Sequence, residues 1–181
     1  MKNTRSLTSL IFLVLLTGCG QLSDKDLIKA AYNGKTEVLE NAIDAGANIN
    51  LKSQKGGVSL LSNAAGAGHG LTVYMLLKKG ANGNDVDDAG WSAMHFAASG
   101  GQNDVINMLT KFNVDLDLQN GDGWTPLMYA VFNNHESTVK TLLDSGASVN
   151  VVLANGLDAM EIAKGKGHSK IMNLLKKIIE S

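Results

Sequence analysis

Apolar residues along this chain recur at helical spacing in short bursts, and the bursts come in pairs. Between Gly123 and Asn150, Leu127, Ala130 and Val131 mark one apolar face, and Val139, Leu142 and Leu143 mark a second. Asn133-Asn134 interrupts the two. Thr125 is a suitable N-cap, which places Pro126 at the first helical position. There its missing N–H costs nothing, because that donor has no partner within a helix. Gly146 closes the second burst with a residue that tolerates positive φ. The pattern predicts helix, turn, helix, with a loop on either side.

The same pattern returns at a fixed interval. Gly57, Gly90, Gly123 and Gly156 stand 33 residues apart, and so do the second-helix stops Gly80, Asn113 and Gly146. Asn113 is the residue next best suited to a left-handed stop. From Gly46 to Gly80 the interval is 34, so one residue is inserted early in the array. A period of this length marks a stack of repeats in which no unit buries its apolar face alone.

The residues at fixed places in the period carry a family resemblance. Thr125-Pro126-Leu127-Met128 and Ser92-Ala93-Met94-His95 are similar to the T-P-L-H tetrapeptide of ankyrin repeats. Gly68-His69 and Gly167-His168 match that family's Gly-His turn, and Gly46-Ala47, Gly80-Ala81 and Gly146-Ala147 its Gly-Ala turn. The resemblance covers about nine-tenths of the chain after residue 18. It implies an all-α fold, an ankyrin-repeat solenoid of about five helix-turn-helix repeats with finger loops. Residues 24–181 form this domain, with repeats near 23–56, 57–89, 90–122, 123–155 and 156–181.

Ser23 or Asp24 is expected to cap the first helix. Repeat two is the most degenerate, with Leu60 in the proline position and Gly66, Gly68 and Gly70 crowding its turn, a density that works against helix. In the last repeat Lys170, Lys176 and Lys177 face outward while Ile171, Leu174, Leu175 and Ile178 turn inward, the mark of a C-terminal cap. Ala30-Ala31, Ala64-Ala65 and Ala97-Ala98 let neighbouring helices approach closely.

The first residues stand outside the period. Lys2 and Arg5 precede the apolar run Leu10 to Leu16, which is too short to span a bilayer. Leu16-Thr17-Gly18-Cys19 resembles a bacterial lipobox. Residues 1–18 are therefore expected to be a lipoprotein signal peptide, removed on export, and Cys19 the lipidated residue. Several acyl chains would then hold the protein on a membrane. Residues 19–23 would be a tether reaching at most roughly 20 Å, keeping the folded part near the surface. Gly20, where an Asp would signal inner-membrane retention, implies the periplasmic face of the outer membrane. Cys19 is the sole cysteine, so no disulfide can form within the chain.

Composition narrows the chemistry. The whole chain has net charge −1, and loss of Lys2 and Arg5 takes it to about −3, which is not the balance of a nucleic-acid binder. The four histidines fall at repeat positions: His95 in the tetrapeptide, His69, His135 and His168 in the turn. Equivalent places in stacked repeats lie about 10 Å apart, whereas zinc needs its nitrogen ligands within about 2.1 Å of one metal. Gly165-Lys166-Gly167-His168-Ser169-Lys170 lacks the spacing of a phosphate loop. Asp85, Asp87, Asp88, Asp115, Asp117 and Asp122 fall between repeats, where such residues are turn formers or weak cation ligands. No catalytic residue, metal site, cofactor or small-molecule substrate is expected.

Binding is expected instead, by another protein. In ankyrin proteins the loops project as fingers and share a concave surface with the first helices. By position the fingers are Lys52–Val58, Val86–Trp91, Gln119–Trp124 and Val152–Leu157, with Tyr32, Asn33, Ser99, Gly100, Phe132, Asn133 and Lys166 on the same side. Trp91 and Trp124 either anchor a partner or pack on the adjacent finger. Phe132 occupies a slot that is usually on the surface. Val151-Val152-Leu153-Ala154 is apolar for a loop and would be exposed. The expected partner-binding residues are Trp91, Trp124, Phe132, Asp87, Asp88, Asp122, Val152, Leu153 and Leu157. The implied function is non-enzymatic binding at the bacterial envelope. The partner would be a periplasmic or membrane-active enzyme, inhibited as by an immunity protein; a phospholipase effector or cell-wall hydrolase would fit. An envelope scaffold or stress-protection factor is the alternative.

Overall fold

The computed structural model describes residues 22–180. The expected signal peptide, Cys19 with its expected lipidation, and most of the expected tether lie outside them. Among the described residues are ten helices in five pairs: α1 (Asp24–Tyr32) and α2 (Thr36–Asp44), α3 (Leu60–Gly66) and α4 (Gly70–Lys78), α5 (Ala93–Ser99) and α6 (Asn103–Lys111), α7 (Pro126–Phe132) and α8 (Glu136–Asp144), α9 (Ala159–Lys166) and α10 (Ser169–Ile179). The first helices pack in one row and the second helices in another. The fold is the expected all-helical repeat solenoid.

Local chemistry starts and stops each helix. Ser23, Ser59, Ser92, Thr125 and Asp158 each accept a backbone N–H of the first turn, satisfying a donor that the helix leaves orphaned. The turn within each pair needs one left-handed residue, and Asn134 supplies it at φ 60° where the other repeats use glycine. Asn113 does the same after α6, at φ 54°.

Repeat two forms both its helices despite its glycines. Gly66 is there for space: a Cβ on it would sit 3.3 Å from the Cβ of Phe96 on the next first helix. The inserted residue also finds its place. Fingers close by a bond from Ser53, Asp87, Asn120 or Leu153 N–H to the carbonyl of Val58, Trp91, Trp124 or Leu157. The first of these hairpins spans one residue more than the others, so the insertion sits at the first finger's tip, where it disturbs no helix.

The core is a continuous band between the rows, and Leu39, Leu76, Leu109, Leu142 and Leu175 are fully buried along it. Two polar ladders tie the repeats along the stack. The side-chain oxygens of Asn50, Asn84 and Asp117 accept the backbone N–H of Asn82, Asp115 and Ser148, one repeat onward. The turn residues His69, Gln102, His135 and His168 reach back to the carbonyls of Tyr32, Gly66, Ser99 and Phe132. At the C-terminal end Ile171 and Leu175 are buried and Leu174 is half-buried. Ile178, expected to face inward, is 43% exposed, in the last turn of α10.

Candidate interaction face

The fingers and the first helices together carry most of the aromatic side chains. Trp91 stands at the base of the second finger, with its ring centroid 4.3 Å from Tyr129 on α7 and 5.2 Å from Phe96 on α5. Trp124, one repeat on, lies 5.0 Å from the other side of Tyr129 and 5.5 Å from Phe132. Lys166 of α9 sits 3.8 Å over the Phe132 ring, a cation–π contact. The row thus runs from Phe96 to Lys166 without a break, spanning three repeats. Tyr129 is its joint, and its hydroxyl accepts a bond of 2.9 Å from Asn120. Burial, chiefly, raises the Tyr129 pKa and keeps it a neutral phenol.

The finger aspartates divide by role. Asp87 Oδ1 accepts the N–H groups of Ala89 and Trp91, so it builds the second finger and aims the tryptophan. Asn120 does the same for Asp122 and Trp124 in the third. Ser53 holds Val58 N–H in the first finger. Asp88 and Asp122 are exposed. Asp85 pairs with Lys52 at 2.7 Å. These loop carboxylates are for the most part turn formers and inter-repeat ties, one of the two roles open from the sequence.

His95 joins the face to the core. Its ring is fully buried, and Nε2 lies 2.9 Å from the Trp124 carbonyl. A carbonyl only accepts, so Nε2 carries the proton. Nδ1 in turn accepts Ser92 N–H. Both nitrogens are thereby assigned in the neutral ring. Burial lowers the His95 pKa, outweighing the opposing effects of the Trp124 carbonyl and the Asp87 charge. His69, His135 and His168 are committed to backbone carbonyls in the turn ladder.

One sequence expectation changes, and the tryptophans take a half-buried position. Leu153 is buried, with Cδ2 against Gly123, so the exposed apolar positions of the last finger are Val152, Ala154 and Leu157. In a hairpin neighbouring side chains point to opposite sides, and Leu153 occupies the place that Asp87 and Asn120 use to shape the other fingers. Trp124 is half-buried and packs against the core. Trp91 is likewise half-buried, so both tryptophans pack on their neighbours while staying partly exposed. Phe132 is exposed as expected, and Tyr32, on the same face, is 61% exposed. Sequence reasoning passed over Tyr129 and Phe96. A signal was available: both are aromatics in first helices at half-buried positions between core residues.

A groove of about 400 Å³ opens on this face between the first and third repeats. Tyr32, Trp91 and Phe96 wall it, and Gly66, Ala67 and Gly100 line it with little bulk. Among the described residues no helix is long and apolar enough to cross a membrane.

Comparison with known proteins agrees with this architecture. The model of the family described as "Ankyrin repeats (3 copies)" matches residues 27–120 and 101–180. BCL-6 corepressor-like protein 1 of Homo sapiens is 32% identical over 112 residues, which is 61% of this chain and 6% of that protein. Neurogenic locus notch homolog protein 2 of Homo sapiens is 29% identical over 171 residues, 94% of this chain and 7% of that one. Ankyrin repeat and SAM domain-containing protein 3 of Homo sapiens is 48% identical over 59 residues, 32% of this chain and 9% of that one. The chain spans less than a tenth of the length of each of these relatives.

Proposed function

We propose that this chain, which belongs to the ankyrin-repeat family and so carries a protein–protein interaction module, binds its partner on the finger-and-first-helix face and inhibits it. The observation that carries this reading is the aromatic row from Phe96 to Phe132, with an open groove at its Phe96 end and the exposed Phe132 ring at the other. Aromatic side chains bury much area at low entropic cost, and in centred, water-excluding positions they dominate binding energy. The half-buried rings among them are held by packing on one another, so the surface is preorganised and loses little freedom on binding.

The partner we propose is a periplasmic or membrane-active enzyme, such as a phospholipase effector or a cell-wall hydrolase. The lipobox-like Leu16–Cys19 supports placement in a bacterial envelope, with Cys19 lipidated and the array held near the membrane, at the periplasmic face of the outer one. The chain itself performs no chemistry in this account. Its histidines are occupied by backbone, and the exposed Asp88 and Asp122 sit at finger tips.

Affinity capture from the source organism's own envelope, with the partner identified by mass spectrometry, tests this. An enzyme whose turnover falls on stoichiometric addition of the chain is the expected result. A captured partner whose activity is untouched would replace inhibition by the scaffold role.

A further inference from the structure

The groove between Tyr32, Trp91 and Phe96 is bordered on its third-repeat side by an acidic stretch. Residues 80–139 contain eight carboxylates and one basic side chain, Lys111. Asp85 and Glu136 are paired with lysines of neighbouring repeats. Asp87, Asp88 and Asp122 have no cation within ion-pairing distance among the described residues.

Asp87 and Asp88 stand at the rim of the groove. Asp87 holds the N–H of Trp91, a groove wall. The Asp88 carboxylate lies over Gly57, where an added Cβ would come within 2.3 Å of its oxygen, and Gly57 precedes the lining residue Val58. Asp88 N–H also bonds the Gly56 carbonyl, and Gly121 N–H bonds the Ala89 carbonyl. These bonds couple the first three fingers side by side and continue the acidic rim to Asp122.

We infer that the occupant of this groove is a cationic segment of the protein partner, with a Lys or Arg stem along Trp91 and Phe96 and its head on Asp88, and a second cation at Asp122. This deepens the reading of the finger face as the binding face and rests on it. Long cationic side chains lay their apolar stems on aromatic surface while the charge stays at a polar rim. The chain already makes such a contact with itself, Lys166 over Phe132, two repeats along the same face. An acidic segment would bring like charges together at the rim, and complementary charge fixes register and speeds encounter. Of the first finger's two basic side chains, Lys52 is committed to Asp85 and to the Val86 carbonyl, and Lys55 is exposed at the tip.

The test is selection of a phage-displayed random dodecapeptide library on the intact protein, followed by fluorescence anisotropy with the recovered peptides at 50 and 500 mM NaCl. The variants are Asp88→Asn with Asp122→Asn, which preserves shape, and separately Tyr32→Ala. Circular dichroism establishes that each is folded. The expected result is a pool rich in Lys or Arg beside an apolar residue. Its affinity should fall at least about tenfold in each variant and weaken as salt rises, since exposed charge is screened within about a nanometre. Peptides without cationic bias that are lost in Tyr32→Ala but indifferent to the Asp variants would overturn the charge inference and leave the binding face standing. Peptides indifferent to both changes, or no enrichment at all, would overturn the face as well.

Discussion

Replacing His95 with methionine isolates what its two ring nitrogens do. The chain supplies the control itself, because Met128 occupies the equivalent place one repeat on and is buried there at 1% exposure. The substitution preserves volume and apolar packing and removes three hydrogen bonds, one from Nε2 to the Trp124 carbonyl and two to Nδ1 from the Ser92 N–H and hydroxyl. The bond to the Trp124 carbonyl is worth about 1 kcal/mol, since that carbonyl keeps Asn120 N–H as a partner. Losing Nδ1 strips Ser92 N–H of its acceptor in a buried setting, which costs about 1–3 kcal/mol. The improved apolar transfer of methionine offsets part of this, leaving an expected loss of about 1–3 kcal/mol at pH 8. The pH dependence has a definite sign. The folded His95 pKa lies below the ordinary 6.5, so the unfolded chain binds the proton first and stability falls with falling pH. The advantage of histidine over methionine is therefore full well above pH 6.5 and shrinks as pH drops through the folded value. Urea melts of both proteins at pH 8 and pH 5.5, followed by circular dichroism and tryptophan fluorescence, measure it. Equal stability at pH 8, or a gap that widens at pH 5.5, would refute the buried neutral imidazole as a tie between repeats.

Leu142→Ala should cost about 2–5 kcal/mol, because Leu142 is fully buried between rows and its loss leaves a cavity. A change below about 0.5 kcal/mol in urea melts would contradict that placement. Stability in a solenoid resides in nearest-neighbour interfaces, so hydrogen exchange should show the loss spreading into the repeats on either side. Cys19→Ser should abolish labelling by a palmitate analogue and release the protein from the outer-membrane fraction; persistence of both would dismiss the lipid anchor.

Much of the fold was legible because a repeat writes its local needs at fixed positions. Gly57, Gly90, Gly123 and Gly156 each take positive φ, and the spacing of these glycines alone sets the register of the stack. Helix starts were legible for the same reason, since Ser92 and Thr125 act on backbone three residues away. The candidate face was less legible, because it depends on contacts between repeats. Which apolar residue of Val151–Ala154 turns inward is set by hairpin closure and the space under Gly123, and no local pattern distinguishes Leu153 from Val152. Tyr129 reads as one more residue of an apolar helix until Trp91 and Trp124 arrive from two different fingers to contact its ring. Trp124 was legible as an aromatic at a finger base, while its packing against the core was not.

The central claim is that a protein partner seats on the fingers and first helices. Trp124 supports the core, so the exposed rings of Phe132 and Tyr32 are the better probes of that face. Titration calorimetry of the captured partner against the wild type, the Phe132→Ala and Tyr32→Ala double variant, and Lys140→Ala tests the claim directly. Lys140 is exposed on α8, in the second row of helices, paired with Asp144. The double variant should bind at least about 2 kcal/mol more weakly, roughly thirtyfold in Kd, and Lys140→Ala should bind as the wild type does. Unchanged affinity in a folded double variant, together with loss in Lys140→Ala, would place the partner on the opposite side of the stack and contradict the account.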